Sequence, residues 1–153
     1  MPLNRDFIGR TFTSKTTYEV GREKIREFAD AIGDANPAYR DVEAAKALGH
    51  PDVVAPPTFA IVISLSAGGE AIFDPDLGLN YALVVHGEQK FVHHRPIRPG
   101  DALVATTTVA DIRDAGRNEL MTVVTELTTE SGEAVCTSTN TIVSRGTAAG
   151  GEG

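Results

Sequence analysis

Apolar residues crowd into one stretch of the chain, Val53 to Phe73, and elsewhere recur at regular intervals. Phe59, Ala60, Ile61, Val62, Ile63 and Leu65 leave no polar face, and a helix apolar all round belongs in a core, buried on nearly every side. Spanning a bilayer takes about 20 apolar residues, and Ser64, Ser66, Gly68 and Gly69 interrupt this run, so it predicts a core helix. Proline suits the first helical position and disfavours helix in the residue before it, which puts the start near Pro57. Asp74-Pro75-Asp76 stops it.

Ahead of this segment, Thr11 to Tyr18 is rich in Thr and aromatics and predicts one short strand. Ile25, Phe28, Ala29 and Ile32 then recur at helical spacing with charges on the other face, and Gly33 ends that helix. Asp34-Ala35-Asn36-Pro37 has turn chemistry. Asp41 caps a short helix through Ala44, Ala45 and Leu48, closed by Gly49.

Beyond Asn80 the period changes to two. Ala82–Arg95 is a long strand or a bent pair, and Ala102–Ile112, Glu119–Thr129 and Ala134–Ser144 are strands, with turns at 96–101, 114–118 and 130–133. Leu103, Ala105, Thr107 and Val109 share one face of the second of these. Short turns between successive strands predict an antiparallel meander. The order of elements is α+β, with a helix packed on one face of a sheet.

The 153 residues suffice for one domain, expected over 1–145, and the Gly-rich 146–153 stretch predicts a flexible tail. A formal net charge of −7 argues against nucleic acid or an anionic membrane as partner. Cys136 is alone, so no intrachain disulfide forms. The N-terminus lacks an apolar signal region, and a cytoplasmic protein is expected. His93 and His94 are strand neighbours whose side chains point to opposite faces, which disfavours a shared metal.

Three stretches carry candidate chemistry: Gly33-Asp34-Ala35-Asn36-Pro37, Val54-Ala55-Pro56 ahead of the core helix, and Arg95-Pro96-Ile97-Arg98-Pro99-Gly100-Asp101. With His86-Gly87-Glu88-Gln89-Lys90-Phe91, in this order and spacing, they resemble the MaoC-like dehydratase family. The likeness runs from about Phe12 to Ser144. It is nearest to the acyl-binding subunits of actinobacterial (3R)-hydroxyacyl-ACP dehydratases.

The resemblance implies a hot dog fold, a curved antiparallel sheet wrapped around a central helix. It also implies reversible hydration of a 2-enoyl thioester of CoA or ACP to the (R)-3-hydroxyacyl thioester, without metal or other cofactor. Active members use an Asp and a His at the positions of Asp34 and Tyr39, with Asn36 beside them. An N–H at the start of the core helix, in the region of Pro57 and Thr58, holds the thioester oxygen. Phe59, Ile63 and His86 fall where the acyl chain would lie.

Two of these positions depart from the pattern. Tyr39 replaces the His, and a phenol with a pKa near 10 is a poor base at neutral pH. Pro57 has no N–H, although the next residue, Thr58, retains one. The resemblance therefore implies an acyl-binding subunit that dimerises with a catalytic MaoC-like chain. The alternatives are an active homodimer, using Asp34 with Tyr39 or with a distant His such as His86, and an acyl-thioester-binding protein without turnover.

Overall fold

The computed structural model describes residues 1–150. Two short strands, β1 (Thr11–Thr13) and β2 (Tyr18–Glu19), precede α1 (Arg22–Ala31) and α2 (Val42–Ala47). Next comes the core helix α3 (Ala60–Ile72), then β3 (Val84–His93), β4 (Ala102–Ala115), β5 (Asn118–Thr129) and β6 (Ala134–Ser144). All strand pairs are antiparallel, in the order β1-β4-β5-β6-β3, with β2 also on β4. The helix α3 lies against β4, β5 and β6.

The helix ends follow from local chemistry. Ile32, just past the end of α1, still has helical backbone, and Gly33 follows in the left-handed region at φ 71°. The Gly33 N–H bonds the Asp30 carbonyl at 3.1 Å and the Asp34 N–H bonds that of Ala29 at 2.9 Å, which satisfies carbonyls a helix end otherwise leaves orphaned. Asp41 caps α2 by accepting the Glu43 N–H at 2.9 Å. The hairpin between β4 and β5 is tighter than the predicted five-residue turn, because pairing continues to Ala115 and Asn118.

The meander holds for β4, β5 and β6, but β3 does not pair with β4 as expected. It crosses to the far side and pairs with β6. The connection cannot hydrogen-bond as a hairpin, since Pro96 and Pro99 lack N–H groups. Instead Ile97 is buried and its carbonyl accepts the Ala55 N–H at 2.8 Å. Asp101 locks the corner by accepting from both terminal nitrogens of Arg95, at 2.8 and 2.9 Å, and from the Arg98 N–H at 2.9 Å. The predicted Thr11–Tyr18 strand is two strands, because Ser14 bonds Ala105 through both backbone and side chain and the chain bends there.

Inward residues of β4 alternate as read from the sequence: Leu103, Ala105, Thr107 and Val109 are buried. A bulge between Val109 and Asp111 then shifts the phase, so that Ile112 points inward. One core cluster gathers Ile25, Phe59, Ile63, Ile97 and Leu127 around the first half of α3. A second gathers Phe7, Leu77, Met121 and Ile142 with Ala71 and Ile72 from its last turns.

The core helix is not buried on nearly every side. Ala60, Ile63, Ser64, Gly68, Ala71 and Ile72 face the sheet, but Leu65 is 52% exposed and the capping Phe73 is 68% exposed. Phe73 stacks on Tyr81, itself largely exposed, at 5.2 Å. A single sheet covers one side of a helix, and the opposite apolar face is left to water.

In the Gly-rich C-terminal stretch, Thr147 is buried and donates its hydroxyl to the buried Glu119 carboxylate at 2.7 Å. The same carboxylate accepts the Leu3 N–H at 2.9 Å, tying the two ends of the described chain to β5. Of the predicted tail, 151–153 lie outside the described residues. Among the described residues no helix is long and apolar enough to cross a membrane.

Candidate functional site

The loop after α1 builds the first wall of the site. Asp34 accepts the Asn36 N–H at 3.0 Å, and Asn36 accepts the Ala38 N–H at 3.0 Å to start the single turn Pro37–Tyr39. These interlocked caps turn the Tyr39 ring inward, where it is 8% exposed. Burial, with the negative field of Asp34 second, raises the Tyr39 pKa above the usual phenol value, so the phenol keeps its hydrogen at neutral pH.

The second wall is the turn ahead of α3. The helix begins at Ala60, three residues later than the expected start near Pro57. Phe59 N–H bonds the Pro56 carbonyl at 2.9 Å and Ile61 N–H bonds that of Thr58 at 3.1 Å, both spans of three residues. The chain therefore enters α3 through tight turns rather than through an α-helical first turn. These turns use the Phe59 and Ile61 donors, while the Thr58 N–H makes no hydrogen bond among the described residues.

The end of β3 supplies the third wall. The His93 Nε2 lies 2.7 Å from the Pro57 carbonyl oxygen. A carbonyl only accepts, so Nε2 carries the hydrogen and, in the neutral ring, Nδ1 is a bare acceptor. Thr137 gives its single hydroxyl hydrogen to Glu126 at 2.7 Å, so its oxygen accepts from His94 Nε2 at 3.2 Å and the same tautomer follows there.

These walls enclose an open cavity of about 550 Å³. Asn36, Tyr39, Pro57, His93 and His94 line it, with Arg95 and Ile97 from the β3–β4 connection. The Arg95 guanidinium is held by Asp101 and by Glu133 at 2.7 Å, which pushes its pKa up and consumes its charge. A second cavity, about 290 Å³, lies between α3 and the β1–β2 segment, with Val62, Ile63, Ala67, Leu103 and Ala105 beneath Tyr18 and the side chains of Lys15 and Glu70.

The structure thus brings Asn36, Tyr39 and Pro57 together in one cavity and puts Ile63 in the other. Asp34 and Thr58 flank the first in sequence without lining it. Phe59 is packed edge-on against Phe28 at 5.5 Å, fully buried in the core. His86 is exposed on β3, its Nε2 on the Glu88 carbonyl at 3.1 Å, and lines neither cavity. His93 and His94 both contribute to the lining of this cavity, but their rings go opposite ways, as expected of strand neighbours: His93 to the Pro57 carbonyl and His94 to Thr137, beside the exposed Glu126. Among the described residues no cluster of three His, Cys, Asp or Glu side chains could hold a metal.

Comparison with solved structures identifies the architecture as the MaoC-like hot dog. A structure described as a MaoC-like dehydratase superposes with a TM-score of 0.85 at 33% identity over 91% of this chain, which spans only 42% of that longer protein. The HadBC (3R-hydroxyacyl-ACP dehydratase) complex of Mycobacterium tuberculosis matches with a TM-score of 0.84 at 29% identity, over 92% of this chain and 99% of that one.

The chain belongs to the FAS1-like, dehydratase domain region family, whose sequence profile matches residues 6–138. It is also similar to a UPF0336 protein of Saccharopolyspora erythraea, 55% identical over all of this chain and 98% of that one. A UPF0336 protein of Parafrankia sp. is 57% identical over 97% of this chain and 98% of its own length.

Proposed function

We infer that this chain is a cytoplasmic subunit of an (R)-specific 3-hydroxyacyl thioester dehydratase, or 2-enoyl thioester hydratase, of fatty-acid metabolism. It binds the acyl chain, and a related hot dog subunit contributes the catalytic Asp and His. The observation that carries this reading is the pair Tyr39 and Pro57 in one cavity. They stand where the resemblance calls for an imidazole and an N–H donor. Loss of a positioned acid/base costs about 10²–10⁴ in rate, and loss of one oxyanion donor about 10²–10³.

The need for a partner has physical support. Among the described residues, β3 pairs on one side only, leaving the other edge of Val84–His93 free. The exposed Leu65 and Phe73 of α3 add an apolar face. An unpaired edge beside an apolar face invites a second chain. Heterocomplexes are named among structural neighbours, HadBC being one. The acyl chain fits the apolar floor of the smaller cavity, at Val62, Ile63, Leu103 and Ala105. Thr58 N–H, without a hydrogen-bond partner among the described residues, remains as the donor next to Pro57 for a thioester oxygen.

The test is hydration of crotonyl-CoA and longer 2-enoyl-CoAs by this chain alone, and mixed with a related chain that keeps both Asp and His. Little turnover alone and long-chain activity in the mixture are expected. A second reading, an active homodimer, draws on the imidazole of His93 in the same cavity as Tyr39. High turnover by the chain alone would favour it.

A further inference from the structure

One side chain just past the loop from Asp34 to Tyr39 ties that loop together. Arg40 folds back along it with three acceptors around its guanidinium. The Arg40 Nη2 donates one hydrogen to an Asp30 carboxylate oxygen at 2.6 Å and the other to the Asp34 carbonyl at 2.7 Å. Its Nη1 donates to the Asn36 carbonyl at 3.1 Å, which also receives the Tyr39 N–H at 3.2 Å. The Asp34 carbonyl has no other hydrogen-bond partner among the described residues. Arg40 itself does not line the larger cavity.

Asp30 belongs to the last turns of α1, and Asp34 and Asn36 stand on either side of Ala35 in the loop. One guanidinium thus fixes two loop peptides to each other and to the helix before them. The ion pair with Asp30 is not the main part of this hold. The Asp30 side chain is 63% exposed, and surface pairs of that kind contribute little. The carbonyl contacts are the ones that constrain the backbone. A planar fork with donors in fixed directions suits several acceptors at once, whereas an ammonium is a point charge on a flexible stem. A site side chain is held no better than the chain that carries it.

We propose that Arg40 is the positioning residue of the candidate site, gripping the Asp34 and Asn36 carbonyls so that Tyr39 stays in the cavity wall. It acts through the loop backbone and not on the enclosed space. The same grip sets where Asp34 and Asn36 stand. The use to which the wall is put rests on the dehydratase-subunit reading above; the grip rests on the three contacts.

The experiment is acrylamide quenching of tyrosine fluorescence at neutral pH on the full chain. The sequence has three tyrosines and no tryptophan, and subtracting the Tyr39→Phe protein isolates the Tyr39 emission. Arg40→Met keeps the stem and loses every donor, and in the folded protein it should raise Tyr39 quenching severalfold. Arg40→Lys, charged but without the fork, should fall between Arg40→Met and wild type, and it carries the test if Arg40→Met does not fold. Asp30→Asn, which removes the ion pair and leaves both carbonyl contacts, should quench like wild type. A purely stabilising Arg40 would lower the urea midpoint without exposing Tyr39 in the folded chain. Wild-type quenching in the folded Arg40 variants, or exposure in Asp30→Asn equal to that in Arg40→Met, overturns the proposal. Quenching involves no thioester, so enoyl-CoA hydration by the mixed subunits judges the dehydratase reading separately.

Discussion

His93 donates its Nε2 hydrogen to the carbonyl oxygen of Pro57 across 2.7 Å, tying the last residue of the edge strand to the turn that leads into the core helix. Residues far apart in sequence thereby share one cavity with Tyr39. Where the family pattern calls for an imidazole on the loop after α1, the described cavity has one on β3.

The two sides of α3 should respond differently to a charge. Ile63 is 4% exposed in the first core cluster, and an unpaired buried carboxylate there costs several kcal/mol, comparable with a whole domain's stability. Ile63→Asp should leave the chain unfolded by circular dichroism. Leu65 is half exposed, so Leu65→Asp should fold with a melting temperature near wild type for the monomer and lose association in sedimentation. An Ile63→Asp chain that melts like wild type would remove α3 from the core.

Much of this architecture is legible in the sequence because periodicity and capping are local. The alternation of Leu103, Ala105, Thr107 and Val109, the Asp41 cap and the Gly33 stop are all found in the structure. What escaped depends on distant partners. The crossing of β3 to β6 is decided by where Ile97 packs and by Asp101 holding Arg95, neither visible as a period. The placing of His93 beside Tyr39 depends on the turn ahead of α3, which no local period reveals. The exposure of Leu65 and Phe73 depends on how far the sheet reaches around α3, which an apolar run in the sequence does not record.

Acyl-chain length should set affinity. The smaller cavity has an apolar floor at Val62, Ile63, Leu103 and Ala105, and each buried CH₂ is worth about 0.8 kcal/mol. Calorimetry with saturated acyl-CoA analogues should show binding tightening from short to medium chains until the cavity is full. No dependence on length would argue against an acyl site there.

The corner that shapes the larger cavity depends on Asp101, 8% exposed, and its two contacts with Arg95. Removing one partner of a buried ion pair costs about 3–5 kcal/mol. Arg95 is somewhat more exposed than its partner and keeps Glu133, so the lower end applies to Asp101→Asn. Urea titration should show that loss; a midpoint equal to wild type would mean the corner is held by packing alone.

Cys136 makes stability fall in alkali. Burial, aided by the charge of Glu126, moves its thiol from 9.0 to about 11. The folded chain therefore holds a proton that the unfolded chain releases. Below the unfolded pKa this has no effect. As pH rises from about 9 to about 11, stability should fall, by up to about 2–3 kcal/mol for a two-unit shift. Cys136→Ala should show a flatter decline over that window in urea melts. Parallel curves for the two proteins would contradict the buried, protonated thiol.

The central claim is that the working Asp and His belong to a second chain. The most direct measurement is kcat of the mixed enzyme on a long-chain 2-enoyl-CoA, with an Asp→Asn substitution placed in one subunit at a time. Asp34→Asn in this chain should leave kcat nearly unchanged, while the same substitution at the partner's catalytic Asp should abolish activity. If this chain alone turns over 2-enoyl-CoA faster than about 1 s⁻¹, the low end for ordinary enzymes, and Asp34→Asn destroys that activity, the catalytic centre lies in this chain and the subunit assignment is wrong.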